Sequence, residues 1–256
     1  MSDNIMYARS QYMKVTIERI IEIDDVSMKG EVLPSALLRI FQDSAIVHSR
    51  QVGYSTKWFA ENAQSWVLKK IAYGIHSPVR LHDNLTILTW TRGIEKIRGS
   101  REFKILRGDE HVISASSTWI FVDTKRRRPT RVPKEMLDAF ETDPDFGIER
   151  PPDVDKAALA GGDVVRERLT INYGDFDING HVNNTAYANY LQSAVYRSFG
   201  LLPEFIFFQI DFKKEIRSGV TDVDVVLTRS SDMFAFEIVA EDTVRADGVL
   251  RVAGSG

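Results

Sequence analysis

The chain has 256 residues, no cysteine, 33 basic against 36 acidic side chains and 43% apolar residues. The missing cysteine excludes disulfides, a thiol nucleophile and thiolate metal sites, and the balanced charge gives nucleic acid no global electrostatic hold. Length and an ordinary apolar fraction predict two modest domains or one large one.

Met1 to Met13 is polar and does not resemble a signal peptide. No apolar run approaches the roughly 18 residues of a membrane span, so the expectation is a cytoplasmic protein with no membrane partner. The first strand is expected over 13–23, on alternating Val15, Ile17 and Ile21. Pro34, suited to a helix's first turn, opens a helix to about Gln51 through Leu37, Leu38, Phe41, Ala45 and His48. A short helix is expected over 56–62. Four β-rich runs follow, over 65–77, 85–94, 100–107 and 112–123, with Gly108-Asp109 as a hairpin turn.

From Thr124 the pattern stops. A basic run, Lys125-Arg126-Arg127-Arg128, and five prolines mark 124–162 as a linker, with a short helix over 133–140. The pattern restarts with a strand over 164–172 and a helix over 183–201. Strands are then expected over 205–215, 222–230, 233–243 and 249–253, with Asp247-Gly248 as a turn. Five scattered histidines (48, 76, 82, 111 and 181) form no His-x-x-x-His pair, so neither a metal nor another cofactor is expected.

Between the second strand and its helix lies Tyr173-Gly-Asp-Phe-Asp177-Ile-Asn179-Gly-His181-Val-Asn183-Asn184. Asp177, Asn179 and His181 alternate, so an extended backbone puts them on one face, and Gly180 permits a tight turn. The helix entrance adds unpaired amides. Carboxylate, amide, imidazole and free N–H groups form the set that hydrolysis of an activated carbonyl needs. Asp and Asn are also ordinary turn and cap residues, so the motif alone is no proof of chemistry.

The halves share residues at a constant separation of 150: Gly30 with Gly180, Val32 with Val182, Ala36 with Ala186, Gln42 with Gln192. This reads as an internal duplication. It is lopsided. Asp177, Asn179 and His181 meet Ser27, Lys29 and Glu31, and Asn184 meets Pro34, which has no N–H. A catalytic half beside a binding half is expected.

Asp177-x-Asn179-x-His181-Val-Asn183-Asn184-x-x-Tyr187 resembles the motif of the acyl-ACP thioesterases, plant-type enzymes with bacterial relatives. Trp66-Val67-Leu68, Trp119, Asp123-Thr-Lys-Arg-Arg127 and Phe212-Lys213-Lys214-Glu215 are similar to further segments of that family, so the resemblance spans about 13–250. It implies an α+β, tandem double hot-dog fold, each half a curved antiparallel sheet around a helix. The division implied is 1–123 for acyl binding, 124–162 as linker and 163–256 for catalysis. It implies hydrolysis of fatty acyl-ACP, with acyl carrier protein as partner, its chain held on phosphopantetheine, and with Asp177, Asn179, His181 and Glu215 as the catalytic network. Where some plant members carry Cys after that Glu, this chain has Ile216. Plant members also bear a plastid transit peptide, so a bacterial cytoplasmic relative is expected.

On this reading Asp177 or Glu215 is the base or nucleophile. Substitution of either, Asp177→Asn or Glu215→Gln, should cost orders of magnitude in kcat at unchanged melting temperature. Asn183 and Asn184 bind the reacting end of the substrate. The acyl slot is expected among Leu37, Leu38, Phe41, Trp58, Phe59, Trp66 and Leu68, each equally at home in a plain core. Lys69-Lys70, Lys96, Arg98, Arg101, Lys125–Arg128, Arg131 and Lys213-Lys214 are candidates for docking an acidic carrier. An acyl-CoA thioesterase, a hot-dog hydratase or dehydratase, and a non-catalytic acyl-binding module stay open, as does further dimerisation.

Overall fold

A computed structural model of the protein describes residues 14–148, 162–200 and 204–253. The first half runs β1 (Lys14–Ile20), α1 (Pro34–Gln51), α2 (Thr56–Glu61), β2 (Gln64–Ile75), β3 (Asn84–Glu95), β4 (Arg98–Arg107) and β5 (Glu110–Asp123). After β6 (Arg128–Pro129) and α3 (Lys134–Ala139) the plan repeats. The second half runs β7 (Asp163–Thr170), α4 (Asn184–Phe199), β8 (Phe205–Phe212), β9 (Asp222–Ser230), β10 (Met233–Ala240) and β11 (Thr243–Val252).

Among the described residues the strands form one sheet in the order β1-β3-β4-β5-β2-β8-β11-β10-β9-β7, with β6 on β5. Neighbouring strands are antiparallel throughout. The halves join at β2–β8, where Ile71 faces Ile210 and Tyr73 faces Phe208. Each half wraps its sheet around its helix, which is the tandem double hot-dog arrangement, an α+β fold.

The helices form where apolar residues recur at helical spacing, and those residues go inside. Leu37, Ile40, Phe41 and Ala45 are buried on α1, and Tyr187, Tyr190, Leu191, Ala194 and Val195 on α4. The two helices pack on each other, and the Ser35 N–H at the start of α1 donates to Gln192 Oε1 of α4 at 2.9 Å. One core spans the seam. Aromatic rings step across it from Phe103 to Phe41 (4.9 Å), Tyr73 (5.7 Å), Phe208 (5.2 Å) and Phe236 (6.0 Å). Each such buried ring contributes about 1.5–3 kcal/mol by leaving water. No helix among the described residues is long and apolar enough to cross a membrane.

Three expectations differ from the structure. Asp247-Gly248 is not a turn but lies inside β11, paired with β8 and β10. A Cβ at Gly248 would meet the Gln209 carbonyl oxygen at 2.1 Å and Phe236 Cζ at 2.6 Å, so close packing, not reversal, demands this glycine. The reversal falls at Glu241-Asp242, both at positive φ.

The strand expected over 205–215 stops at Phe212, so Glu215 sits in the loop beyond β8. The proline-rich stretch is also packed down as far as residue 148. Val132, Met136 and Phe140 are buried against Phe121 in a second apolar cluster. Trp90 Nε1 donates to the Asp145 carbonyl at 3.1 Å, and the Gly147 N–H donates to buried Glu102 at 3.1 Å. Pro129, Pro133 and Pro144 break helical and strand periodicity without freeing the described part of this stretch from the sheet.

Candidate active site

The motif turn is built by its own side chains. Residues 173–175 make one turn of 3-10 helix, and Gly180, at φ 73°, closes a tight loop in which the Gly180 N–H reaches the Asp177 carbonyl at 3.0 Å. The Asp177 carboxylate accepts from the Asn179 N–H (2.8 Å), Asn179 Nδ2 (3.2 Å) and the His181 N–H (3.3 Å). Asp177 thereby helps to hold the loop, and Asn179 is exposed.

The loop after β8 runs alongside. The Val182 N–H donates to the Ile216 carbonyl (2.9 Å) and the Ser218 N–H to that of Gly180 (3.1 Å). This clamp brings Glu215 to His181, with His181 Nε2 3.3 Å from Glu215 Oε2. The other oxygen, Oε1, pairs with Arg217, whose Nε lies 2.7 Å away, and with Arg127. Arg127 belongs to the turn between β5 and β6, so the start of the connecting stretch reaches into the second half's site. Buried Arg245 donates to the Glu215 carbonyl at 3.0 Å and so fixes the loop backbone.

The entrance of α4 completes the set. Asn183 caps it, its Oδ1 accepting from the Thr185 N–H and hydroxyl, both at 2.9 Å. The N–H groups of Val182, Asn183, Thr185 and Ala186 all have acceptors. Among the described residues, that of Asn184 has none, which leaves one amide at the positive end of the helix. Beneath it Tyr187 is buried, and burial pushes its phenol above the usual range. Burial, aided by Asp175, does the same to Tyr190, whose hydroxyl donates to Asp175 at 2.8 Å.

Thus His181 and Glu215 pair beside the α4 entrance, and Asp177 with Asn179 builds the turn that presents His181. Motif reading did not single out Arg127 and Arg217 as partners of Glu215. The basic run was legible only as charge, and its target became visible once the two halves met.

The seven expected slot residues separate. Leu37, Leu38, Phe41 and Leu68 are buried in the main core, whereas Trp58, Phe59 and Trp66 belong to the second cluster with Phe121 and Phe140. Inside the first half a buried polar group borders the second cluster, the His48 ring lying 5.6 Å from that of Phe140. Arg101 is buried, not on a docking surface. It donates from Nη1 to His48 Nδ1 (2.7 Å) and to Thr89 Oγ1 (3.1 Å), and burial lowers its guanidinium to about 10. No group of three His, Asp or Glu side chains able to hold a metal occurs among the described residues.

The first copy of the turn has the same backbone without the chemistry. The Ser27 N–H reaches the Glu31 carbonyl at 2.8 Å, as that of Asp177 reaches His181. The Lys29 N–H donates to Ser27 Oγ at 3.2 Å, in the place of the Asn179–Asp177 bond. The Val32 N–H donates to the Val79 carbonyl, as that of Val182 does to Ile216. Pro78 therefore occupies the position of Glu215, Glu31 that of His181, and Pro34 that of Asn184.

Solved structures share the double hot-dog architecture over nearly the whole chain. An acyl-ACP thioesterase from Bacteroides thetaiotaomicron superposes with a TM-score of 0.80 at 18% identity, covering 97% of this chain and 100% of its own. The 12:0-ACP thioesterase from Umbellularia californica gives 0.79 at 16%, covering 94% and 97%. The fold and the paired turns thus define a double hot-dog protein.

The chain belongs to the acyl-ACP thioesterase family: the family's N-terminal domain matches residues 13–140 and its C-terminal domain residues 161–249. A chloroplastic acyl-[acyl-carrier-protein] hydrolase of Cuphea viscosissima is 26% identical over 192 residues, 71% of this chain and 47% of the relative. A chloroplastic oleoyl-acyl carrier protein thioesterase of Coriandrum sativum is 22% identical over 93% of this chain and 72% of its own length. The chain spans about half the length of several of the curated relatives it matches.

Proposed function

We propose that this chain hydrolyses the thioester of a fatty acyl chain carried on acyl carrier protein, releasing the fatty acid and the carrier thiol. The observation that carries this is the one-sided equipment of the duplicated turn: His181 pairs with Glu215 next to a helix entrance with an open Asn184 N–H in one copy, and Glu31, Pro78 and Pro34 stand in the other. Family membership supports the substrate class.

In this reading the acyl carbonyl lies at the α4 entrance, where the Asn184 N–H and the helix dipole receive the developing oxyanion. Glu215 Oε2, the oxygen not paired with the arginines, takes a proton from water with His181 as its partner. The water oxygen bonds to the carbonyl carbon, the carbon–sulfur bond breaks, and the proton passes to the departing thiolate. Arg127 and Arg217 hold Glu215 in place, and Asp177 with Asn179 builds the turn that presents His181.

The division of labour follows the duplication, with residues 1–123 binding the chain, 124–162 connecting and 163–256 carrying the chemistry. Exposed Arg126, Arg128, Lys213 and Lys214 around the site suit an acidic carrier. The test is product analysis by mass spectrometry with a length series of acyl-ACPs, alongside acyl-CoAs of the same lengths. Fatty acid and free thiol released from acyl-ACP, with a salt-sensitive KM, are expected. Intact acyl-ACP after prolonged incubation refutes the reading, and turnover confined to acyl-CoA reassigns the carrier.

A further inference from the structure

Each copy of the turn holds two large apolar side chains out in water. Tyr173 and Ile178 are 96% and 88% exposed, and their matched positions in the first copy, Ile23 and Met28, are 75% and 84% exposed. Among the described residues these four are the most exposed large apolar side chains. The frame does not call for them, since backbone groups and Ser27 or Asp177 hold it. A lone exposed apolar residue is ordinary, but a pair at the same two positions of both turns is a pattern.

Charge separates the two pairs. Histidines aside, segments 22–31 and 76–81 around the first pair carry four acidic and two basic residues, whereas the matched segments 172–181 and 213–218 carry three of each. Only the second copy gains the exposed run Lys125–Arg128, brought there by Arg127 on Glu215. The Glu215 loop is itself clamped to the turn, the Ser218 N–H donating to the Gly180 carbonyl at 3.1 Å. Tyr173 and Ile178 therefore sit within a basic border, and Ile23 and Met28 within an acidic one. An apolar centre inside a charged rim is the anatomy of a docking surface, and a basic rim selects an acidic partner. The same turn presents His181 to Glu215, so a partner seated on it brings its cargo beside the site.

We infer that Tyr173 and Ile178 are the apolar anchors on which an acidic acyl carrier protein seats, inside a rim formed by Lys213, Lys214, Arg217 and the 125–128 run. This rests on the reading of the chain as an acyl-ACP hydrolase and adds to it the surface that tells a carrier-borne thioester from a free one. The rim steers and orients the carrier, and burial of the two anchors holds it. The first copy keeps the anchors without the basic rim and takes no carrier.

The test uses the full chain and one acyl group on two thiols: acyl carrier protein, and N-acetylcysteamine, which offers the thioester with no protein attached. Tyr173→Ser combined with Ile178→Ser should raise KM for acyl-ACP about ten-fold, with kcat, the melting temperature and turnover of the N-acetylcysteamine thioester unchanged. Ile23→Ser combined with Met28→Ser should change none of these. Fluorescein-labelled holo-acyl carrier protein, followed by anisotropy, should bind the parent, weaken as salt rises, and lose about the same factor in affinity on the Tyr173→Ser, Ile178→Ser chain. Anisotropy needs no turnover, so a parent that binds the carrier but cleaves no acyl-ACP refutes the hydrolase reading and leaves the docking surface standing. Four results overturn the proposal. The parent binds no carrier, or the double substitution moves neither KM nor anisotropy. The N-acetylcysteamine thioester loses as much as acyl-ACP, or the Ile23→Ser, Met28→Ser chain does, which makes the effect one of the turn and not of docking. Carrier binding is unchanged while sedimentation shows a parent dimer that the Tyr173→Ser, Ile178→Ser chain no longer forms, which gives the patch to a second copy.

Discussion

The two copies of the turn before each helix share a hydrogen-bonded frame and differ in what the frame presents. In both, a glycine at positive φ closes the loop (Gly30, 74°; Gly180, 73°), and a short side-chain oxygen, Ser27 or Asp177, accepts from the backbone two residues on. In both, the loop after the seam strand clamps the turn through a valine N–H. The frame therefore needs only a glycine and a small acceptor. His181 and Glu215 are additions that the frame does not require, which is the physical argument for assigning them chemistry.

The largest effect is expected from Glu215→Gln, which removes the proposed proton acceptor. Turnover of acyl-ACP should fall about 10²–10⁴-fold while the melting curve stays put, because Glu215 lies in a loop outside the core. Near-normal turnover would return Glu215 to the surface and level the two copies. Arg127→Gln should lower kcat less, with Arg127→Lys recovering part of it, since a cation on Oε1 positions the carboxylate without touching substrate.

Next comes Asn184→Pro, which copies Pro34 of the bare turn. Residue 183 already has the extended backbone a following proline demands, φ −60° and ψ 142°, close to Leu33 at −79° and 144°. The helix should form as before and lose one N–H. Removal of an oxyanion donor costs about 10²–10³ in kcat, so a loss of that size at unchanged circular dichroism is expected. An unaffected rate would show that the oxyanion is received elsewhere.

A matched pair of glycine substitutions separates frame from function. A Cβ at Gly30 or Gly180 meets nothing within 4 Å, so the cost of Ala is conformational in both, about 1–2 kcal/mol by denaturant unfolding. Equal destabilisation is expected, with a rate loss only in Gly180→Ala. Unequal stability would mean that the frames are not equivalent.

The smallest effect concerns pH at the end of the seam away from the candidate site. His76 Nε2 and His111 Nε2 each lie 2.9 Å from Ser114 Oγ. Burial, then Lys104 and His76, holds the His111 imidazole below its ordinary value. The folded state thus prefers the neutral ring. Its contribution is fully present above about pH 6.5 and is lost as pH falls through the lowered folded value. Unfolding midpoints should drop slightly on acidification through that window, and His111→Asn should flatten the drop.

Much of this was legible without coordinates. Helical spacing from Leu37 to His48 and from Tyr187 to Val195 fixed both central helices, because a buried stripe leaves its period in the residues. The asymmetry of the motif was readable because the copies align residue for residue, Asn184 against Pro34 above all. Tertiary structure alone decided the rest. It put Glu215 on a loop rather than a strand, tied Asp177 to its own turn, and brought Arg127 from the connecting stretch. It buried Arg101 and kept Asp247-Gly248 within a strand. Each of these depends on which backbone and side-chain partners the folded chain brings together. Local sequence carries the period of a helix and the chemistry of a turn; it does not carry the neighbours that a distant strand delivers.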